Sequence, residues 1–510
     1  MIMKIKTYIN LDRIRYCFLL IHVLCLSLII LTIQCQKVKS PEVSVCVSSQ
    51  DGDRLMKYPD AIFEDAKELG LPVIKIDENA RFQKINGFGA SFNEAGMICL
   101  NSLTSEVKEN VLKMLFDSMS GAGYTLMKSP IGATDFASAG AWYTYNDTPD
   151  DTLMKSFSVE RDLAPNGLIT FIKAAQKYGQ FEIQSPMDFG PDWMYYGMKD
   201  WKERDIKPQN YNALASYYLK YIQAYAANGI TINYLSLFNE PGIYSNVPFN
   251  TIGLLIKNHV APLFASQRIS TKILLGETNT SAHAAKEFPA LLEDKDISKN
   301  IYALAYHGYL WADGMKDVAN LHNKYPKIPI WQTEICYAMT LDWNDLPPQV
   351  PHKMPIFEFS DGEWWGNVIM NDLKNSVSAW IYWNMILDQE GGPCLESPEH
   401  NDPKINTQHP VVIIDRKTNA VTYTGLYYYL AHFSKFIRPG AYRIYSDGQV
   451  KNLNFAAFVN PDGNIILNII NNGVETTCNV KWQNKIFVQK LKSHSITTLK
   501  WFSGGNNPVR

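Results

Sequence analysis

Eight short apolar runs recur along most of this chain, and they limit its possible folds more than any other feature of the sequence. Continuous apolar runs of this length are typical of parallel strands that are buried on both faces. We therefore predict eight buried strands between residues 71 and 433. They cover residues 85–90, 125–131, 181–186, 232–239, 272–277, 303–309, 328–334 and 379–384.

Amphipathic stretches separate these runs. After the third run, six apolar residues follow the spacing of a single buried helix face: Tyr211, Leu214, Tyr218, Tyr221, Ile222 and Tyr225. Asn228-Gly229 ends this helix, because glycine readily adopts the left-handed conformation of a C-cap. Eight strand–helix units in roughly 350 residues predict an α/β fold, a (β/α)8 TIM barrel. A doubly wound sheet is the alternative, but the sequence has no glycine-rich phosphate loop.

The segment 434–510 has a different pattern, with short β-like runs broken by turns. The turns are Pro461-Asp462-Gly463 and Asn471-Asn472-Gly473. We predict a small β-sandwich that packs against the barrel. The strand-like stretch 72–76, which precedes the barrel, is expected to join it.

Residues 1–35 resemble an export signal. Basic residues precede an apolar run over 17–33, which is short for a membrane span and fits a signal-peptide core. The run ends near Cys35 in a loose lipoprotein box, in which Gln34 replaces the usual small residue. Lipidation and membrane attachment through Cys35, a simple cleaved signal, and an uncleaved anchor all stay open. We expect an exported protein, in the cell envelope or secreted, with residues 36–70 as a tether and lead-in.

Composition narrows the function classes. The net charge is −2 and the basic residues are scattered, which argues against a nucleic-acid partner. The 12 Trp and 28 Tyr suit a protein that handles carbohydrates, because aromatic faces stack on sugar rings. No cysteine or histidine spacing resembles a zinc site, and we expect neither metal nor cofactor. The sequence leaves the oligomeric state open.

The ends of the fourth and seventh predicted strands each carry a glutamate. The fourth runs into Asn239-Glu240-Pro241, and the seventh ends at Thr333-Glu334. Working residues of TIM barrels lie at the C-terminal ends of the strands, so the two carboxyl groups are expected to face one mouth.

A pair of carboxyl groups is what glycoside hydrolysis requires. We predict that Glu240 is the acid/base, with a raised pKa, and that Glu334 is the nucleophile and stays ionised at neutral pH. Asn239, directly before the acid/base, suits a hydrogen bond to the sugar 2-hydroxyl. A close pair predicts retention of configuration.

Several sequence motifs resemble glycoside hydrolase family 30, the family of the glucosylceramidases. The resemblance covers most of the chain from about residue 71. Its motifs are Phe82-Gln83-Lys84-Ile85-Asn86-Gly87-Phe88-Gly89, Thr134-Asp135-Phe136, Tyr143-Thr144-Tyr145-Asn146-Asp147-Thr148-Pro149-Asp150-Asp151, Asn239-Glu240-Pro241, Glu334-Ile335-Cys336, Trp383-Asn384, Glu390-Gly391-Gly392-Pro393 and His432-Phe433-Ser434-Lys435-Phe436-Ile437.

This resemblance implies a sugar pocket. Asp135 would hold hydroxyls on the far side of the ring, and Trp193 and Trp383 would border the pocket. His307 and Tyr309 would lie beside the nucleophile, with Tyr309 donating a hydrogen bond to it.

The chain departs from the family pattern at three places. Lys128 stands where the family usually has an arginine, and a point charge does not reproduce a planar fork. Met187 stands where the glucosylceramidase has tryptophan, in a longer stretch over 185–191. The loop 137–142 carries extra residues beside Asp135.

The resemblance implies hydrolysis of a β-glucoside, with a carbohydrate or glycolipid substrate. Alternatives within the family are an exported endo-β-1,6-glucanase and a xylan-active enzyme. An alternative of another class is a non-catalytic carbohydrate-binding barrel. The presence of both glutamates counts against that class.

Overall fold

The computed structural model of the protein describes residues 41–65, 70–137, 143–197, 205–242, 247–309, 314–337, 358–393 and 408–504. The expected export signal over 1–35, including Cys35, lies outside these residues and stays a prediction. Most of the loop 137–142 also lies outside them. None of the helices in the described ranges is both long and apolar enough to cross a membrane.

A closed barrel of eight parallel strands forms the centre of the molecule. The predicted (β/α)8 fold is confirmed, since each of the eight apolar runs contributes one strand. The last strand pairs with the first, so the sheet closes and the doubly wound alternative is excluded. In chain order the barrel strands are Gly87–Ser91, Leu126–Lys128, Glu182–Pro186, Tyr234–Ser236, Lys272–Thr278, Ile301–His307, Ile330–Glu334 and Val377–Asn384.

Helices connect the strands and cover the barrel. The helix after the third strand spans Tyr211–Ala227 and ends at Asn228, followed by Gly229 at φ +76°, as predicted. The other α-helices are Glu94–Asn101, Ser105–Phe116, Leu168–Gln176, Phe249–Leu255, Ala261–Ser266, Ser281–Leu292, Lys295–Ser298, Gly314–Lys324, Asp361–Lys374 and Gly425–Ser434. Short 3-10 helices span Glu160–Leu163, Asp192–Met194 and Pro208–Asn210, and a π-turn spans Ile256–Val260.

The barrel interior is a packed core rather than a pore. Tyr234 and Trp331 meet edge to face inside it, with ring centroids 4.7 Å apart. A larger apolar layer fills the space between the strands and the helices. A small three-stranded sheet, Ile386–Asp388, Val412–Ile414 and Val421–Tyr423, follows the last barrel strand.

The second domain is a β-sandwich made from one ten-stranded sheet around its own apolar core. The predicted stretch 72–76 joins it as part of a longer strand. The strands are Glu42–Ser49, Met56–Ile62, Glu64–Asp65, Val73–Lys84, Tyr442–Asp447, Leu453–Val459, Asn464–Asn471, Thr476–Trp482, Lys485–Leu491 and Ser495–Phe502.

The expectation of a tether and lead-in over 36–70 is wrong for the described segment from Glu42 to Asp65, which contains three strands of the sandwich. The strand Glu42–Ser49 pairs with Ser495–Phe502 on one side and with Met56–Ile62 on the other. Val43, Val45 and Val47 alternate along it and are buried in the sandwich core. This period-two pattern is short and flanked by polar residues, which concealed the strand in the sequence.

Candidate active site

Glu240 and Glu334 lie together at the C-terminal mouth of the barrel, as predicted. Glu334 ends the seventh strand, and Glu240 lies four residues past the end of the fourth. Both side chains are almost completely buried. One carboxylate oxygen of Glu240 and one of Glu334 lie within 4.8 Å of each other. The two groups are therefore close enough to act on the same bond.

The backbone at Glu240 adopts an unusual conformation. Its φ is +43°, in the left-handed region that non-glycine residues rarely occupy. Its N–H donates to the carbonyl of Glu277 at 2.9 Å, which anchors the turn to the fifth strand. Strained backbone of this kind is often found where a side chain must be held in one direction.

Glu240 and Glu334 contact His307, which lies between them. His307 Nδ1 is 2.7 Å from Glu240 Oε1 and 3.3 Å from Glu334 Oε1. Burial raises the pKa of Glu240 above its ordinary value, and the hydrogen bond with His307 offsets this only in part. This direction agrees with the role predicted for Glu240, because an acid must still carry its proton when substrate binds.

Glu334 is held by three side chains. The Lys128 ammonium is 2.6 Å from Oε2, and the Tyr309 hydroxyl donates to Oε1 at 3.0 Å. His307 is the third neighbour. Lys128, Tyr309 and His307 each place positive charge or an N–H or O–H donor beside Glu334, and together they fix the position of its carboxyl group.

Glu277 is a third carboxylate that the sequence analysis missed. It is fully buried, and it accepts from His307 Nε2 at 3.1 Å and from Lys128 Nζ at 3.3 Å. Ser236 and Gln184 donate to its other oxygen at 2.7 and 2.8 Å. Burial alone would raise the pKa of Glu277, but Lys128 and the donors lower it to about 2. Glu277 lies in the fifth barrel strand, so the strand-end rule that identified Glu334 could have found it.

The carboxylates around His307 keep it charged. Burial alone would lower the pKa of His307, but Glu334, Glu240 and Glu277 outweigh both burial and Lys128 and raise it to about 9. At neutral pH both ring nitrogens therefore carry protons and donate hydrogen bonds. The resemblance placed His307 beside the nucleophile, and the structure places it between both glutamates.

Lys128, flagged as a departure from the family, is also fully buried at the centre of the site. In addition to Glu334 and Glu277, it donates to Asn239 Oδ1 at 3.1 Å. This contact fixes the side on which the Asn239 amide oxygen lies. The NH2 group of the amide is then left to donate to a sugar hydroxyl.

The remaining predicted pocket residues are Trp383, Asp135 and Trp193. The Trp383 ring centroid is 5.2 Å from Lys128 Nζ, so this indole borders the site. Asp135 precedes Phe136, which packs edge to face on Trp383. The indole N–H of Trp193 donates to the carbonyl of Asn146 at 3.0 Å, which fixes this ring to the loop after the second strand.

A chain of polar residues behind Tyr309 also escaped the sequence analysis. The Tyr309 hydroxyl is 3.4 Å from Cys336 Sγ, which donates to Gln408 at 3.1 Å. Gln408 in turn accepts from Asn384. Asn384 ends the eighth strand, so its place at the mouth was detectable. Gln408 lies in a connection that carries no sequence pattern of its own.

One group of described residues has the spacing of a metal site, namely Glu240, His307 and Glu334. The ammonium of Lys128 lies 2.6 Å from Glu334, and protonated His307 adds a second positive charge. A metal cation would be repelled by both. The residues therefore suit acid–base and nucleophilic chemistry better than metal binding.

Comparisons with known proteins agree with this geometry. The family model described as the glycosyl hydrolase family 30 TIM-barrel domain matches residues 85–437, and the family 30 beta sandwich domain matches residues 440–499. The chain is 24% identical over 448 residues to lysosomal acid glucosylceramidase of Mus musculus, covering 84% of this chain and 82% of that protein. It is 27% identical over 452 residues to an endo-1,6-beta-D-glucanase of Trichoderma harzianum, covering 82% and 84%.

Solved structures show the same fold. SrfJ from Salmonella typhimurium superposes with a TM-score of 0.80 at 22% identity, covering 91% of this chain and all of that one. A solved endo-β1,6-glucanase gives a TM-score of 0.79 at 21% identity, covering 91% and 99%. With both family domains matched along most of its length, the chain belongs to glycosyl hydrolase family 30 and is a glycoside hydrolase.

Proposed function

We propose that this protein cleaves a β-glucosidic bond with retention of configuration, with Glu240 as acid/base and Glu334 as nucleophile. The observation that carries the proposal is the separation of these two groups. One carboxylate oxygen of Glu240 and one of Glu334 lie within 4.8 Å of each other. Carboxyl groups about 5–5.5 Å apart are typical of retaining enzymes, whereas inverting enzymes need about 6.5–9.5 Å to admit a water molecule.

In the first step, the Glu334 carboxylate attacks the anomeric carbon while Glu240 donates its proton to the departing glycosidic oxygen. The bond from the anomeric carbon to that oxygen breaks, and an ester to Glu334 forms. Burial supports this role of Glu240, because it favours the protonated acid.

In the second step, the now ionised Glu240 takes a proton from water, which attacks the anomeric carbon and releases Glu334. His307 suits this exchange, because its charge stabilises Glu240 in the ionised form. Tyr309 and Lys128 contact the two oxygens of Glu334 and orient its carboxylate for the attack.

The substrate that we propose first is a β-glucoside of the glucosylceramide type, either a glycolipid or a small glucoside. Mouse lysosomal acid glucosylceramidase supports this choice. An endo-β-1,6-glucanase is a second candidate, which the Trichoderma relative supports equally well. The names of these two relatives, a glucosylceramidase and a glucanase, both refer to a substrate that contains glucose. Glucose is therefore the sugar that we place beside Glu334. A xylan-active enzyme is a further alternative within the family.

The first experiment measures hydrolysis of aryl β-glucoside, β-xyloside and β-galactoside, and then of glucosylceramide and β-1,6-glucan. We expect Glu334→Gln to lower kcat/KM at least about 1,000-fold, equivalent to ~4 kcal/mol. The matched control is Glu293→Gln, a change at an exposed side chain. Proton NMR of the first product should show the β-anomer.

Each outcome distinguishes the candidates. Turnover of glucosylceramide supports the first substrate, and turnover of β-1,6-glucan alone supports the glucanase. An initial α-anomer contradicts retention. Full activity of Glu334→Gln contradicts the assigned nucleophile. Sugar binding without any turnover, unchanged in Glu334→Gln, supports a carbohydrate-binding barrel instead.

A further inference from the structure

Asp188 is a carboxyl group at the mouth of the barrel that the mechanism above does not use. It lies two residues past the end of the third strand, Glu182–Pro186. The carbonyl of the preceding Met187 accepts from the Asn239 N–H at 2.8 Å. This bond fixes the segment against the residue that precedes Glu240. The position of Asp188 is therefore set by the same elements that place the proposed acid/base.

The Asp188 side chain is 8% exposed, and its Oδ1 is buried without a hydrogen-bond partner among the described residues. Met187, by contrast, is completely buried and turned into the core. Buried carboxyl oxygens are nearly always hydrogen-bonded, because an unpaired one loses its hydration without compensation. The unpaired oxygen can therefore bind a polar group of a molecule that enters the mouth of the barrel.

Four ionisable side chains interact electrostatically with Asp188, namely Lys128, Glu334, Asp135 and Glu240. Burial raises the pKa of Asp188 well above its ordinary value, and the three carboxyl groups add to this effect against the opposing charge of Lys128. The protonated acid is thereby favoured, and a carboxylic acid can both donate and accept a hydrogen bond. A sugar hydroxyl has the same two capacities.

We propose that Asp188 is a specificity-determining residue of the sugar pocket, and that its unpaired oxygen hydrogen-bonds one hydroxyl of the sugar held beside Glu334. The inference rests on the proposed function, because it requires a sugar at this place. A sugar that lacks the hydroxyl leaves a buried polar group unpaired, and a pocket built in this way rejects the analogue strongly.

The test combines Asp188 variants with a series of aryl β-glucosides that each lack one hydroxyl, at C2, C3, C4 or C6. We expect the wild type to lose at least about tenfold in kcat/KM on one deoxy substrate. We expect Asp188→Ala to lose a similar factor on the parent glucoside, and little more on that deoxy substrate. Such non-additivity assigns the hydroxyl that Asp188 binds. Asp188→Asn, which keeps the shape and a donor, should retain most of the activity.

Three results would overturn the proposal. One is an Asp188→Ala loss that is equal on all five substrates, which indicates a general structural or electrostatic effect. Another is a shift of the pH profile with no change in substrate preference. The third is wild-type activity in Asp188→Ala. Asp51→Ala, at an exposed turn of the sandwich, is the matched control. If Asp188→Ala does not fold, Asp188→Ser replaces it, and its kcat/KM is measured on the same five substrates.

Failure of the proposed function is seen separately. It appears as absence of turnover of the aryl β-glycosides, glucosylceramide and β-1,6-glucan by the wild type, before any Asp188 variant is used. The deoxy series is then built on whichever aryl β-glycoside the wild type cleaves. If it cleaves none, the inference falls together with the function.

Discussion

The ammonium group of Lys128 lies within 3.3 Å of Glu334, Glu277 and Asn239. Burial alone would lower the pKa of Lys128, but the carboxylates of Glu334 and Glu277 raise it, so the group stays charged. An arginine fork is the usual family choice here, and the structure shows how a lysine serves instead. Its single nitrogen stands at the point where three oxygens converge.

Removing this charge should disable the site. We predict that Lys128→Met lowers kcat at least about 100-fold, equivalent to ~3 kcal/mol, and leaves KM less affected. The reason is that Glu334 loses the cation that holds its Oε2. The same change removes the cation that lies between the buried side chains of Glu334 and Glu277 and should lower the free energy of unfolding by about 3–5 kcal/mol. Steady-state kinetics and thermal unfolding check both effects.

Lys128→Arg is the matched variant for this prediction, because it keeps the charge and restores the usual family residue. It should retain clearly more activity than Lys128→Met. Equal activity of Lys128→Met and the wild type would show that the charge is not needed.

Glu240 gives a prediction about pH. Burial raises its pKa, and a general acid loses its proton as pH rises through that pKa. The kcat/KM of an aryl β-glucoside should therefore fall on the basic side, as Glu240 loses its proton. Glu240→Gln should lose the basic limb and act only on substrates with activated leaving groups. A wild-type profile with an acidic limb alone contradicts the pairing.

The sequence predicted the two glutamates because each follows an apolar run, which is a local pattern. Resemblance to the family supplied His307, Tyr309 and Trp383. Asp188 has no such pattern, since its burial depends on segments that only the closed barrel brings together. From sequence alone, a carboxylate in a loop is expected to be exposed to solvent, because the segments that bury it are not yet known.

At the level of elements, the first and second barrel strands approach very closely. A Cβ atom at Gly89 would lie 2.0 Å from the backbone carbonyl oxygen of Leu126 and 2.9 Å from Met127 Sδ. The carbonyl belongs to the neighbouring strand and is not free to move aside. The glycine is therefore required by barrel closure.

We predict that Gly89→Ala lowers the free energy of unfolding by about 3 kcal/mol or more, since overpacking against backbone is not relieved by a rotamer change. Thermal or urea unfolding measures the effect. Lys113→Ala, at an exposed helix position, is the control. Wild-type stability of Gly89→Ala would mean that the two strands separate freely.

The apolar runs predicted the number and order of the barrel strands, but overestimated the length of some. The run over 125–131 contains only the strand Leu126–Lys128. The residues after it are still buried, and the N–H groups of Ser129 and Ile131 donate to carbonyls of the third strand. An apolar run in the sequence indicates which residues are buried, but it does not indicate where the strand ends. Here the strand ends where the backbone turns into the mouth of the barrel.

At the scale of the whole molecule, the sandwich is assembled from segments on either side of the barrel. Val43 is completely buried in its core. We predict that Val43→Asp destabilises the protein by roughly 3–5 kcal/mol, because it places an unpaired charge in that core. The kcat of the folded fraction should stay unchanged, since the site lies in the other domain.

Thermal unfolding and active-site titration separate these two effects. Met56→Asp, at an exposed position on the adjacent strand, is the control and should be close to neutral. A stable Val43→Asp variant would show that the strand Glu42–Ser49 is dispensable.

The pairing of Glu42–Ser49 with Ser495–Phe502 also sets an order of events during synthesis. The Ser44 hydroxyl donates a hydrogen bond to the carbonyl of Lys500, which lies 456 residues later in the sequence. A ribosome adds about 5–20 residues per second, so the earlier strand waits roughly 20–90 s for its partner. In this interval the hairpin of Glu42–Ser49 and Met56–Ile62 has an open edge that other nascent chains can capture. The open edge therefore persists until translation has delivered the later strand.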